Sequence, residues 1–363
     1  MKRLLYILVA LFLVSCAKKV AGDGVESRLH FYADIDGSSA TRSIFEGTSF
    51  KKGSSIGLFV YHSETKDAAL PERMENFSLY GAKYGNVMAL FDYDNLTEPS
   101  RYMFEGTTTS FTDIYLLKPS VPVHEEGLAV LAYAPWVDEV TSITSIPFTL
   151  GGLSKSMTDL MWARQNHYDK TKYDDAGANY KIIPNGDMKN VDLTFRHALA
   201  LLRIGFRCRY PGSLIALSSI SIRAGAEAVT PLYVDGSMNA MDGSLIYGEE
   251  KPLLSYDYTD AEPSYVFQST SDYIYVPMLI APVEYLDDGD YILEFRFNGV
   301  ELDSDDPENV LQYPIKLTDV AGGFEAGKIY DFRFTLDNYI QFDGVRISDE
   351  WILDDSDKIN LPF

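Results

Sequence analysis

The chain is poor in the residues that build covalent or metal-bound frameworks. It has two cysteines, Cys16 and Cys208, in 363 residues. With Cys16 modified at the N-terminus, as argued below, Cys208 has no partner, which excludes an intrachain disulfide and a thiolate metal site. Its five histidines, His30, His62, His124, His167 and His197, lack HxxxH or HxH spacing, so no metal is indicated. A phosphate loop, a dinucleotide fingerprint and a recognisable pair of catalytic carboxylates are also missing, and no cofactor is expected. Positive charge is scarce: 31 Lys and Arg stand against 53 Asp and Glu, a formal net charge of −22. That balance argues against nucleic acid as a partner. Long helical periodicity is absent too, whereas Tyr (25) and Phe (20) are plentiful, which points to strands.

Residues 1–15 read as a lipoprotein signal peptide. Lys2 and Arg3 precede the eleven-residue apolar run Leu4 to Val14, too short to cross a bilayer as a helix but suited to a signal-peptide core. The run ends in Leu13-Val14-Ser15-Cys16, which resembles a bacterial lipobox, with cleavage before Cys16 and lipidation of it. Several acyl chains on one residue suffice for stable anchoring. A cleaved secretory signal with an incidental cysteine is the plainer alternative. Residues 16–28 are polar and Gly-containing, a tether.

Beyond the tether, Leu29, Phe31, Ala33 and Ile35 alternate with polar or amphipathic neighbours, an amphipathic strand. Ile56 to Tyr61 reads as a strand buried on both faces, and Val87–Tyr93, Phe111–Leu117 and Leu128–Tyr133 as further strands. Thr158 to Arg164 fits either a short helix or an extended edge. Residues 165–190 are polar and rich in Gly, Asn and Asp, which places a domain connection there and gives domains of 29–185 and 186–363. In Val191 to Tyr210 the apolar positions change parity near Leu201 and Leu202, the mark of a bulge or turn. Tyr273–Ile280, Tyr291–Phe297 and Leu311–Leu317 continue the series, so the chain reads as all-β with a β-sandwich in each half. Near the end, Tyr330, Phe332, Phe334 and Leu336 alternate with Asp331, Arg333, Thr335 and Asp337, one buried and one wet face. Asp343-Gly344 reads as a tight turn, and Val345, Ile347, Trp351 and Leu353 resume the alternation.

Two motifs carry weak chemistry. Gly53-Ser54-Ser55-Ile56-Gly57 matches G-x-S-x-G, but a nucleophile elbow needs a strand before it and a helix after it, and here a strand follows. The acidic runs Asp303–Glu308 and Asp354–Asp357 lack the order of a calcium loop and read as solvated loops. The sequence does not look like that of an enzyme.

The chain resembles the fimbrillins, lipoprotein precursors of type V pili in Gram-negative bacteria. The resemblance rests on the lipobox at Cys16, LHFYADI followed by ATRS and GSSIGLFVY, TDLMWA at 158–163, LTFRHALALLRIGF at 193–206, and the terminal GFEAGKIYDFRFTL and VRISDEW. It implies two transthyretin-like β-sandwich domains in tandem, outer-membrane anchoring through lipid, and a place in a cell-surface fimbrium. It also implies polymerisation with other fimbrillin subunits by strand exchange, after a trypsin-like maturation protease cuts beyond the first strand. Carried onto this sequence, the cut falls after Arg42, with Arg28 as a rival, and the lost strand carries Leu29, Phe31, Ala33 and Ile35. The donor is a terminal strand with alternating apolar residues, and Val345, Ile347, Trp351, Leu353, Ile359, Leu361 and Phe363 offer one. A monomeric surface lipoprotein that binds glycan is the competing expectation.

Overall fold

A computed structural model describes residues 30–35, 50, 54–63, 78–79, 85–90, 102–106, 127–165, 190–209, 215–259, 261, 265–267, 272–298, 310–337 and 340–348. In chain order its strands are β1 (His30–Ile35), β2 (Ser55–Ser63), β3 (Ser78–Leu79), β4 (Val87–Leu90), β5 (Tyr102–Gly106), β6 (Gly127–Ala134), β7 (Ile146–Thr149), β8 (Gly152–Leu153), β9 (Met161–Gln165) and β10 (Asn190–His197). They continue with β11 (Ala200–Cys208), β12 (Ile215–Ala224), β13 (Asp235–Met238), β14 (Leu245–Tyr247), β15 (Leu253–Asp257), β16 (Val266–Phe267), β17 (Ile274–Ile280), β18 (Tyr291–Asn298), β19 (Val310–Pro314), β20 (Ile329–Leu336) and β21 (Ile340–Ser348). The only helical turns among the described residues are short 3-10 turns at Ser154–Ser156 and Leu317–Asp319. None of these is long and apolar enough to cross a membrane. The protein is all-β.

The first sheet has the order β3-β2-β4-β5-β1-β10-β9-β6, and β6 also pairs with β2. The pairing therefore runs in a closed ring of β2, β4, β5, β1, β10, β9 and β6, with β3 attached to β2. The interior is filled by alternate residues, namely Ala33 and Ile35, Ile56, Leu58 and Val60, Val87 and Ala89, Val130, Ala132 and Ala134, Met161 and Ala163, Leu193 and Phe195, with Phe50 added. So many alanines follow from closure, because a ring this narrow has little room inside.

The opposite faces of β2, β6 and β9 are buried as well. Phe59, Tyr61, Leu131, Tyr133 and Trp162 join a second, larger core shared with the later strands, so Ile56 to Tyr61 is doubly buried as its sequence indicated. Gly57 is needed beneath Tyr133, since a Cβ there would lie 2.1 Å from its ring. The Tyr133 hydroxyl donates to Asn86 Oδ1 at 2.5 Å and accepts from the Val137 N–H at 3.2 Å. Burial pushes its pKa up to about 12.

The chain leaves this ring at His197 and enters another sheet at Ala200, so the parity change near Leu201 marks a strand crossing between sheets. His197 Nδ1 pairs with the Asp159 carboxylate at this point, both side chains being buried. Of Thr158 to Arg164, the first three residues lead into β9 and Met161 to Arg164 belong to it. β9 lies between β10 and β6, so the stretch ends in an interior strand and not in a helix or an edge. Beyond the crossing, a four-stranded sheet β17-β11-β20-β21 packs against a six-stranded sheet containing β19-β18-β12-β15-β8. Phe206 joins the two, with ring centroids 5.1 Å from Phe295, 5.3 Å from Phe267 and Phe297, and 5.9 Å from Phe334. A smaller sheet β14-β13-β7 completes the fold, and through it and β8 residues 146–153 pair with strands of the second half.

Candidate functional site

The site is defined by β1. It runs parallel to β10 over six residues, from His30 opposite Asn190 to Ile35 opposite Phe195. On its other side it runs antiparallel to β5, with Phe31 opposite Phe104 and Ala33 opposite Tyr102. Ala33 is 0% exposed and Ile35 2%. Both point into the ring, where Ile35 is in register with Phe195 and Ala33 with Leu193. Phe50 packs edge-on against Phe195, with ring centroids 5.2 Å apart. The strand is therefore a stave of the closed ring, flanked on both sides. Taking it out would expose unpaired backbone along β5 and β10 and empty two interior positions.

Of the other sequence-predicted residues, Phe31 lies in β1, while Leu29, Arg28, Arg42 and Cys16 fall outside the described residues. Trp351, Leu353, Ile359, Leu361 and Phe363 also fall outside them. Val345 and Ile347 lie on β21, in register with Phe332 and Tyr330 of β20. They are half-buried against the chain's own core. β21 is the outermost strand of its sheet, with no partner on its far side among the described residues. Asp343-Gly344, read as a tight turn, instead forms a bulge within β21. The register slips there, Arg333 facing Gly344 and Phe334 facing Phe342, and Gly344 takes φ +130, which favours glycine.

The face of β20 expected to be wet is not. Asp331 is 3% and Thr335 1% exposed. The Asp331 carboxylate takes two bonds from Arg203 on neighbouring β11, Nη2 to Oδ2 at 2.5 Å and Nε to Oδ1. Arg203 also stacks on Tyr275, 4.7 Å from the ring centroid. Farther along, Asp343 Oδ2 accepts from Thr335 Oγ1 at 2.5 Å and Tyr273 at 2.8 Å. The bulge is what turns Asp343 onto this polar face. Hydrogen bonding to Asp343 and burial both raise the Tyr273 pKa, burial the more. Sequence reading missed this network because its members come from β17, β11, β20 and β21. Arg203 and Arg207 at strand alternation opposite Asp331 and Thr335 were its one trace.

Ser55 opens β2, so the G-x-S-x-G match leads into a strand, where a nucleophile elbow leads into a helix. Among the described residues no group of three or more His, Cys, Asp or Glu side chains is gathered to hold a metal.

Comparison with known proteins places this architecture. No curated protein matches the chain. Among solved structures, a proposed cell adhesion protein from Bacteroides ovatus is 14% identical with a TM-score of 0.54, covering 90% of this chain and 99% of that one. A second from Bacteroides uniformis is 12% identical with a TM-score of 0.53, covering 90% and 100%. The tip fimbrial protein Mfa3 from Porphyromonas gingivalis is 10% identical with a TM-score of 0.39, covering 88% and 98%. The first two likenesses show a shared fold. The profile of the fimbrillin-like proteins matches residues 41–351, and over that span, most of its length, the chain belongs to the fimbrillin-like family.

Proposed function

We propose that this chain is a lipid-anchored pilus subunit that polymerises by protease-triggered donor-strand exchange and serves cell adhesion. The observation that carries the reading is the position of β1, a buried stave of a closed ring, with Ala33 and Ile35 inside. Arg42 lies in the connection between Ile35 and Phe50. A cut there separates β1 from β2 while leaving every other strand on one chain. The opened ring offers two sheet edges and an apolar slot, which an alternating strand fills by backbone pairing and side-chain insertion. Refilling a socket the size of Ile35's is worth about 1.5–3 kcal/mol.

The donor narrows to 351–363. Val345 and Ile347 already pair with β20 of their own chain, so using them would require breaking that ladder. Trp351, Leu353, Ile359, Leu361 and Phe363 are the rest of the alternating apolar set and are proposed as the donated side chains. The two sandwich units of this reading are residues 29–185 and 186–363, the second lending β10 to the ring. Lipid on Cys16 holds the precursor at the outer membrane until a trypsin-like protease acts, and other fimbrillin subunits are its partners.

N-terminal sequencing of surface-purified protein tests the reading. A start at Ser43 is expected in the assembled form. Finding only Cys16 as the start, with no cut after any arginine before residue 55, would overturn polymerisation by this route.

A further inference from the structure

Among the described residues, Phe50 is the one interior residue of the ring that belongs to no strand. It is 4% exposed, sits in the same core cluster as Ala33 and Ile35, and its ring meets Phe195 edge-on at 5.2 Å. Phe195 is the residue in register with Ile35 across the β1–β10 pair. In a parallel pair, residues in register project to the same face of the sheet, so Ile35 and Phe50 share Phe195 as a neighbour within one buried cluster. They differ in their place in the chain. Ile35 lies before Arg42 and Phe50 after it, so a cut at Arg42 discards the first and keeps the second.

We propose that Phe50 and Phe195 form the wall of the Ile35 socket, and that Phe50 fixes the size of the side chain an incoming strand can place there. This rests on the strand-exchange reading and adds to it a specificity-determining residue. The partner it selects is a strand from a related subunit, with a branched aliphatic at the Ile35 position and a small residue two positions before it, a pairing that residues 351–363 of this chain do not contain. That second requirement comes from Ala33, which is fully buried opposite Leu193. Ring interiors pack closely, so one methylene too many forces neighbours off their rotamers. A large ring such as that of Trp351 is therefore refused at the Ile35 position while Phe50 is present.

A size swap in the full-length chain tests the socket without any cleavage. Ile35→Phe alone should lower the urea midpoint. In a Phe50→Ala background the same change should raise the midpoint above that of Phe50→Ala alone. Equal lowering in both backgrounds, meaning no coupling between the positions, overturns the proposal. Phe50→Leu, a smaller step that guards against loss of folding, should reduce the penalty of Ile35→Phe. An undiminished penalty there also overturns the proposal.

In chain cut after Arg42, binding of a peptide spanning residues 29–36 gives the functional readout. Wild type should prefer the native peptide over its Ile35→Phe form by about tenfold or more, a difference of about 1.4 kcal/mol per decade. Phe50→Ala should reverse the preference. An unchanged preference in Phe50→Ala defeats the size-selection claim. Failure of both proteins to bind either peptide defeats the strand-exchange reading, and the full-length swap then still decides the socket.

Discussion

Replacing Asp331 by alanine should be among the most damaging single changes in the second half of the chain. Asp331 and Arg203 face each other on parallel neighbours β20 and β11, with side chains 4% and 6% exposed. The carboxylate takes two guanidinium bonds. Removing it leaves Arg203 its ring contact with Tyr275 but withdraws the opposing charge from a position shut off from water. Breaking a buried pair from one side costs about 3–5 kcal/mol, whereas exchanging both partners for apolar groups of similar volume is often neutral or better. With a urea slope of about 2–3 kcal/mol/M for a chain of this size, Asp331→Ala should lower the midpoint by about 1–2 M. The double change Arg203→Met with Asp331→Leu should recover most of that loss. Unfolding should be followed by tryptophan fluorescence and by circular dichroism, because the ring and the two later sheets need not melt together. An Asp331→Ala midpoint equal to wild type, or a double variant no better than the single, would refute the reasoning. Register gives the test a functional side. β20 positions β21, and the end of β21 sets where the terminal segment departs.

Other outcomes follow from the same structure. Deleting Ile359–Phe363 should leave a folded monomer that fails to polymerise, seen by size-exclusion chromatography after protease treatment; an unfolded product would assign the tail to its own subunit. Gly57→Ala puts a methyl 2.1 Å from the Tyr133 ring and should cost about 1–3 kcal/mol, with Tyr133→Leu relieving it in thermal melts. Asp290 is buried, which works to raise its pKa, yet bonds from Thr230, Val229 and Asp287 hold it below the usual carboxylate value. Its contribution to stability is therefore complete above the unfolded pKa of about 3.9 and fades as pH falls through the folded one. Asp290→Asn should remove that part of the acid limb in urea midpoints measured between about pH 5 and pH 2.

Local pattern told much of this fold and long-range pairing the rest. Ile56 to Tyr61 carried apolar residues on both parities, and both of its faces proved buried. The change of parity near Leu201 was visible, but whether it meant a bulge or a change of sheet depended on partners about eighty and 128 residues further on, on β17 and β20. Asp331, Arg333 and Thr335 looked solvated because alternation reports polarity and not neighbours. Arg203, which buries Asp331, is 128 positions away. Asp343-Gly344 had the composition of a hairpin turn, yet both of its flanks pair with β20, and one glycine at positive φ serves a bulge as well as a turn. The candidate site was half legible. The alternation of Leu29 to Ile35 marked β1, but its parallel partner β10 and the closure of the ring through β2 and β6 were set by contacts no local window contains.

A hoop differs from a ribbon in having no ends. In the first sheet each of the seven ring strands has two neighbours within the ring, so thermal fluctuation alone must break at least two ladders at once before any strand can be traded. While it is closed, the seven-strand ring offers neighbouring copies no ladder to enter. A single hydrolysed peptide bond changes this by turning an intramolecular stave into a separate peptide that is diluted once it dissociates. Assembly in the proposed scheme is thus timed by covalent chemistry, and the direction of growth is secured because the original stave does not return.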